Sequence, residues 1–274
     1  MKTILFTKAL AEKTIGELVN LGTELGLDGF DLCVRPGHPV NPDNLRPALR
    51  EAVRISHENG LSIPLVTGDN AELLDPENPA VEPLLGAMDE ADVRLLKMGY
   101  FRFDPDMHDY WEEVDHARRA LEGWARLGER HNVTVCYHMH SRRCLGLNGG
   151  TLAHLIRDLD SRFIGAYTDA GHMLIEGEEF AYGAAILKGY LRAVAVKDVH
   201  LVREEHHGHG RATARWVQAG RGMVDWTSVF GYLRSVDFQG PVSIHCEFQD
   251  APSDGLLDAI KREVAFFNSM VKGE

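Results

Sequence analysis

The feature that most constrains this chain is an alternation. Eight short apolar runs of strand length are separated by longer stretches with helical spacing. The runs are TILFT (3–7), GFDLCV (29–34), SIPLVT (62–67), RLLKMG (94–99), VTVCYH (133–138), FIGAYT (163–168), AVAVKD (193–198) and PVSIHCE (241–247). Between them, Ile15, Leu18, Val19 and Leu25 share one side of TIGELVNLGTELG, and Val114, Ala117, Leu121 and Trp124 recur along YWEEVDHARRALEGWARLGERHN. Those two periods mark buried strands and amphipathic helices. NLRPALREAVRISHENG predicts a helix capped near Asn41 and closed at Gly60. PAVEPLLGAMDEAD, TLAHLIRDLDS, FAYGAAILKGY, WTSVFGYLRSV and LLDAIKREVAFFNSMV complete the helical set. Strand–helix alternation without a linker predicts a parallel sheet closed into an α/β (β/α)8 TIM barrel, a single domain over residues 1–274. An open doubly wound sheet is the alternative, weakened by the missing Gly-rich turn after the first run.

Composition narrows the partners. A chain of 274 residues with 44% hydrophobic content can build a large core. The net charge of −12 repels phosphate backbones, so no nucleic-acid partner is expected. Cys33, Cys136, Cys144 and Cys246 form no CxxC pair, and three lie in apolar runs, so they read as reduced, buried thiols. MKTILFTKALAEK has neither a signal peptide's pattern nor a membrane span, and a cytoplasmic protein with no membrane partner is expected. The one long irregular segment, REEHHGHGRATARWVQAGRG (203–222), reads as a polar loop serving as a lid or a subunit contact. His206, His207 and His209 there offer an adventitious metal site, and Gly220 and Gly222 around Arg221 suggest a mobile turn.

Strand alternation then places the chemistry. Barrel enzymes work at the carboxyl ends of their strands, and strand residues alternate faces with period two. On the fifth run Cys136, His138 and His140 share a face. Tyr167 and Asp169 share one on the sixth, Ala195 and Lys197 on the seventh, and Ser243, His245 and Glu247 on the eighth. A single inward histidine is more often a satisfied core residue. Ionisable groups at four successive strand ends point instead to a site, because buried charge is costly unless paired or metal-bound.

These same segments carry a resemblance. LGLDGFDLCVRPG, HNVTVCYHMH, YTDAGHM, AVKDVH, GRGMVDW and GPVSIHCEF, in this order and spacing, resemble the xylose isomerase-like barrel superfamily in its sugar phosphate isomerase/epimerase branch, over nearly the full chain. The resemblance implies one divalent metal held by a carboxylate at the fifth strand, an Asp at the sixth, a His at the seventh and a Glu at the eighth. Asp169 and Glu247 match, and His138 replaces the fifth-strand carboxylate. The metal set so implied is His138, Asp169 and Glu247. The family's seventh-strand H-x-K-D stands here as Ala195-Val196-Lys197-Asp198, so the expected His is missing, and His200 or His172 is left to fill the gap. Otherwise three protein ligands remain, as in many catalytic sites. The donor set suits Mn, Co, Fe, Zn or Mg.

The expected function is a metal-dependent isomerase or epimerase of a keto-sugar or polyol, phosphorylated or not. It would abstract a proton beside a carbonyl and stabilise the enediolate. Glu247 is the first choice of base, Lys197 the second, and His140 the partner acid. His172, His245 and His200, with Arg35 and Arg102, are the substrate-contact candidates; His245 also fits a supporting place beneath Glu247, and Lys197-Asp198 also fits a plain ion pair. A lyase or dehydratase on a keto-sugar or keto-inositol shares the first step. An abasic-site endonuclease shares Asp169, His172 and Glu247 but lacks the fifth- and seventh-strand ligands, and a metal-free binding subunit is the non-enzymatic reading. A small sugar or polyol is the expected ligand, and a homodimer or homotetramer the expected assembly.

Overall fold

A computed structural model of the chain describes residues 1–69, 72–249 and 255–273. The barrel strands are β1 (Lys2–Phe6), β2 (Gly29–Cys33), β3 (Ser62–Thr67), β4 (Leu95–Gly99), β5 (Thr134–His138), β6 (Ile164–Asp169), β7 (Leu191–Val196) and β10 (Pro241–Ile244). They close in the order β1-β10-β7-β6-β5-β4-β3-β2. Each of the eight expected runs is a strand of this closed, parallel barrel. The last strand ends at Ile244, and His245–Glu247 follow it, the His245 amide still donating to the Val196 carbonyl at 3.0 Å.

The alternation sorts side chains into two cores. Ile4, Leu65, Leu95, Cys136, Tyr167, Ala193 and Ala195 pack together inside the barrel. Leu5, Leu32, Val66, Leu96 and Val194 face outward and join the much larger layer beneath the helices. Ala195, where the resemblance implies a histidine, is thus part of the interior packing and fully buried.

The helices are α1 (Ile15–Glu24), α2 (Leu45–Glu58), α3 (Val81–Glu90), α4 (Tyr110–His131), α5 (Gly149–Ile156), α6 (Ala170–Ile175), α7 (Phe180–Ile186), α8 (Trp226–Ser235) and α9 (Leu256–Lys272). Local chemistry sets their starts. Thr14 and Glu17 form a reciprocal capping box at α1, and Asp109 accepts the Trp111 and Glu112 amides at α4. α2 opens at Leu45 rather than near Asn41, because Asn41 accepts the Asp43 amide in the preceding turn. Among the described residues no helix is long and apolar enough to cross a membrane. All four cysteines are free and buried.

The segment read as an irregular loop is ordered differently. β8 (Asp198–His206) and β9 (His209–Val217) form an antiparallel hairpin with register from Asp198–Val217 to His206–His209. His207 and Gly208 both take positive φ (47° and 80°), as a two-residue type I′ turn requires. The turn after it is pinned rather than mobile. Asp198 accepts the amides of Gly220 (2.9 Å), Gly222 (3.0 Å) and Val224 (3.2 Å) and the Trp226 indole N–H (3.2 Å). A Cβ at Gly222 would lie 2.1 Å from Asp198 Oδ1, so only glycine permits this clamp. Asp198 is therefore occupied with the hairpin's base, and Lys197 pairs elsewhere.

Candidate active site at the carboxyl end of the barrel

The strand ends place the inward side chains around two adjoining cavities. The deeper, of about 100 Å³, is lined by Lys8, Arg35, Lys97, Tyr100, His138 and His245 among others. The outer, of about 340 Å³, lies between the β5 and β6 loops and the hairpin, with Ser141, His172 and Trp216 in its wall. His140, Lys197 and Glu247 line both.

The barrel floor is a closed polar network. Asp31, fully buried on β2, accepts from the hydroxyls of Thr67 (2.5 Å), Ser243 (2.9 Å) and Tyr167 (3.1 Å). Tyr167 in turn meets His245 Nε2 at 2.8 Å. His245 is thereby fixed beneath Glu247, with Nδ1 3.7 Å from Oε2.

Above the floor, Lys197 is the central charge. Its ammonium sits 3.3 Å from Asp169 Oδ2 and 3.0 Å from Glu247 Oε2, and 4.3 Å over the Trp216 ring. Burial opposes its charge, but Asp169 and Glu247 outweigh that and raise its pKa. Glu247 also pairs with Lys8 at 2.6 Å. Burial alone would raise Glu247, yet Lys197, His245 and Lys8 hold it far below the usual carboxylate range. Trp216 reaches this point because position 171 is glycine: a Cβ there would lie 2.7 Å from both the Trp216 ring and the Lys197 carbonyl.

The histidines behave differently. His138, His172 and His245 are buried, and desolvation keeps each neutral by lowering its pKa. His140 is lowered to about 4, also chiefly by burial. It stacks between Tyr100 and His172 with centroid separations of 3.9 Å each. Its Nδ1 meets the Ser141 carbonyl at 2.9 Å and so carries the proton, leaving Nε2 with a free lone pair. His172 Nδ1 is held by the Ser141 hydroxyl at 2.8 Å.

Three donor atoms converge. His138 Nε2, Asp169 Oδ2 and His172 Nε2 lie within 4.8 Å of one another, the one such group among the described residues. All three are buried; the two imidazole nitrogens have no hydrogen-bond partner, and Asp169 Oδ2 faces only the Lys197 ammonium, 3.3 Å away. Asp169 Oδ2 is 3.6 Å from His138 Nε2 and 3.8 Å from His172 Nε2. Its other oxygen caps α6 by accepting the His172 amide at 3.0 Å. Unpartnered buried polar atoms are costly, and a divalent cation satisfies all three at once. The residues present therefore fit a metal.

Of the residues singled out from sequence, His138, His140, Asp169, His172, Lys197, His245 and Glu247 meet around the two cavities. Arg35 lines the deeper one, its Nε donating to the Gly68 carbonyl at 2.9 Å. Arg102 is exposed and lies over Tyr100, 5.4 Å from the ring centre. His200 is exposed on β8 opposite Arg215, outside both cavities. Sequence reading missed Asp31, Lys97 and Trp216. The first two carried a signal, since each is a charge inside an apolar strand run.

A family model described as xylose isomerase-like TIM barrel matches residues 19–270. The chain belongs to that family. Solved structures of the same fold agree with the assignment. A 3-keto-D-glucoside 4-epimerase from E. coli superposes with TM-score 0.75 at 19% identity, covering 98% of this chain and 99% of that one. D-psicose 3-epimerase from Clostridium cellulolyticum H10 gives 0.73 at 14%, covering 99% of both. A protein from Bacillus anthracis described as a probable 3-DHS dehydratase of petrobactin synthesis gives 0.76 at 14%, covering 98% and 99%. Curated protein sequences yield no match.

Proposed function

We propose that the protein is a sugar isomerase or epimerase that moves a proton beside the carbonyl of a keto-sugar. The observation that carries this reading is the convergence of three buried metal-ligand atoms, from His138, Asp169 and His172, with both imidazole nitrogens unpartnered, beside a cavity that also exposes a charged pair and a free imidazole nitrogen. The family membership and the epimerase folds above support the same class.

A divalent metal on His138, Asp169 and His172 would supply Lewis acidity to a substrate carbonyl. The remaining work falls to side chains. His140 is neutral at physiological pH and offers Nε2 as the proton acceptor. Glu247 is a weaker base than expected, because Lys197 and Lys8 hold it ionised. Its Oε1 holds Lys8 and its Oε2 instead fixes Lys197, whose ammonium supplies a proton to the opposite side and balances the developing oxyanion. Trp216 walls the outer cavity and gives a sugar ring an apolar face to rest on.

Elimination from the same carbanion is a second reading, favoured by the likeness to the probable dehydratase. Incubation in deuterated water separates the two. Deuterium entering recovered D-fructose, D-psicose or D-tagatose, with an epimer or aldose appearing, supports the first. Release of water with an unsaturated product supports the second. No exchange into any ketose or keto-glycoside tested, with metal present, would sink both.

A further inference from the structure

Lys97 stands apart from every other charge in the site. It projects from the end of β4 into the deeper cavity and is only 3% exposed. Its ammonium lies 4.1 Å from the centre of the Phe6 ring and 4.8 Å from that of Tyr167. Among the described residues it makes no ion pair; Asp31 and Glu247 attract it only through space, the first engaged by three hydroxyls below and the second by Lys8 and Lys197. Aromatic faces attract a cation weakly, and a buried ammonium without an anion is costly. Burial accordingly lowers its pKa to about 8.

Arg35 completes the pattern. It lines the same cavity, is tethered at Nε to the Gly68 carbonyl, and pairs with no carboxylate among the described residues. Lys8 and Lys197, the other two cations here, are both engaged by Glu247, the carboxylate in this wall. Two cations therefore face one small cavity with no carboxylate in direct contact with either among the described residues, in a chain whose net charge is −12. Such local concentration against the overall sign draws anions inward. An arginine held at Nε presents its fork to paired oxygens.

We propose that the substrate carries an anionic oxygen group, a carboxylate or a phosphate, that docks between Lys97 and Arg35 in the deeper cavity. The inference rests on the proton-transfer reading, which puts the reacting carbons in the adjoining cavity beside His140 and Lys197. A neutral sugar would leave both cations unpaired. An anionic one neutralises them and orients the carbon chain toward the outer cavity.

Calorimetric titration of the purified protein with inorganic phosphate and with glycolate, at fixed ionic strength, tests this. Wild type is expected to bind one of them at least about 10-fold more tightly than Lys97→Met and Arg35→Met, while Arg102→Ala, outside the cavity, binds as wild type. A preference for phosphate or for glycolate tells which group the substrate bears. Thermal melts check folding; if Lys97→Met does not fold, Lys97→Gln and Arg35→Met decide. No binding of either anion, or equal binding by all variants, overturns the proposal. Deuterium exchange into neutral D-fructose without anion binding would overturn the anion site and leave the proton-transfer reading intact. Anion binding lost in the variants, with no exchange into ketoses or their phosphates, would keep the site and sink the reaction.

Discussion

The rim around Lys197 and the rim around Lys97 solve the same problem in opposite ways. Both place a buried lysine at the end of a barrel strand. At β7 the ammonium is held by two carboxylates and its charge is reinforced. At β4 it rests on two aromatic rings, unpaired, and its charge is discouraged. The lesson is that burial alone does not determine what a lysine is for. A paired lysine is held in one place as a charged donor, whereas an unpaired one has room for a ligand's anion.

Removing the paired lysine should do the most damage. Lys197→Met leaves the buried Asp169 without its cation and Glu247 with Lys8 alone. Breaking a buried pair from one side costs about 3–5 kcal/mol. Urea unfolding is expected to show a loss of that size, with deuterium exchange falling below detection. A near-neutral effect on stability would erase the contrast between the two rims.

Removing the unpaired lysine should do the reverse to stability. Its pKa falls from 10.5 to about 8 on folding, so the folded state resists its proton. Below pH 8 both states carry the charge, and the full cost of burying it is felt. Between pH 8 and 10.5 the unfolded chain holds more protons, so stability rises with pH there. Lys97→Met should therefore stabilise the protein by up to about 3 kcal/mol at pH 7, from about 1.4 kcal/mol for each pKa unit. The gain should fade toward pH 10.5, even as activity is lost. Stability unchanged at pH 7 would show that Lys97 is paired after all.

The neutral histidines act at the acid end. His140 falls from 6.5 to about 4, and His138, His172 and His245 are lowered as well. As pH falls from 6.5 toward 4 the unfolded chain takes up protons that the fold refuses, so stability declines over that window. In metal-free protein His140→Gln should flatten part of this slope, measured by melts at each pH. Smallest of all, Gly171→Ala should cost about 1–3 kcal/mol through overpacking against Trp216 and the Lys197 carbonyl. It should displace the hairpin and slow turnover more than it lowers the melting temperature.

Much of this architecture was legible in the sequence. The eight apolar runs gave the barrel, and period-two alternation gave His138, Asp169, Lys197, His245 and Glu247 a common side. What alternation could not tell was which inward groups pair. Lys197 reaches Asp169 and Glu247 across two strands, and no spacing along the chain encodes that. Asp31 and Lys97 were visible as charges within GFDLCV and RLLKMG, but a lone charge in an apolar run says nothing about its neighbours. The hairpin escaped because much of the ribbon is exposed, so hydrophobic alternation is weak there. Its turn was written as His-Gly where Asn-Gly is the stronger signal. His172, one of two residues offered from the sequence for the missing seventh-strand ligand, is brought to His138 by the short helix α6, which Asp169 caps.

The most direct test is metal content per chain by elemental mass spectrometry, on untagged protein, for wild type, His172→Ala and Glu247→Gln. If the metal is held by His138, Asp169 and His172, wild type and Glu247→Gln should each carry about one divalent ion, and His172→Ala should lose it. Metal kept in His172→Ala and lost in Glu247→Gln would contradict the account, and would return the ion to the place now given to the Lys197 ammonium.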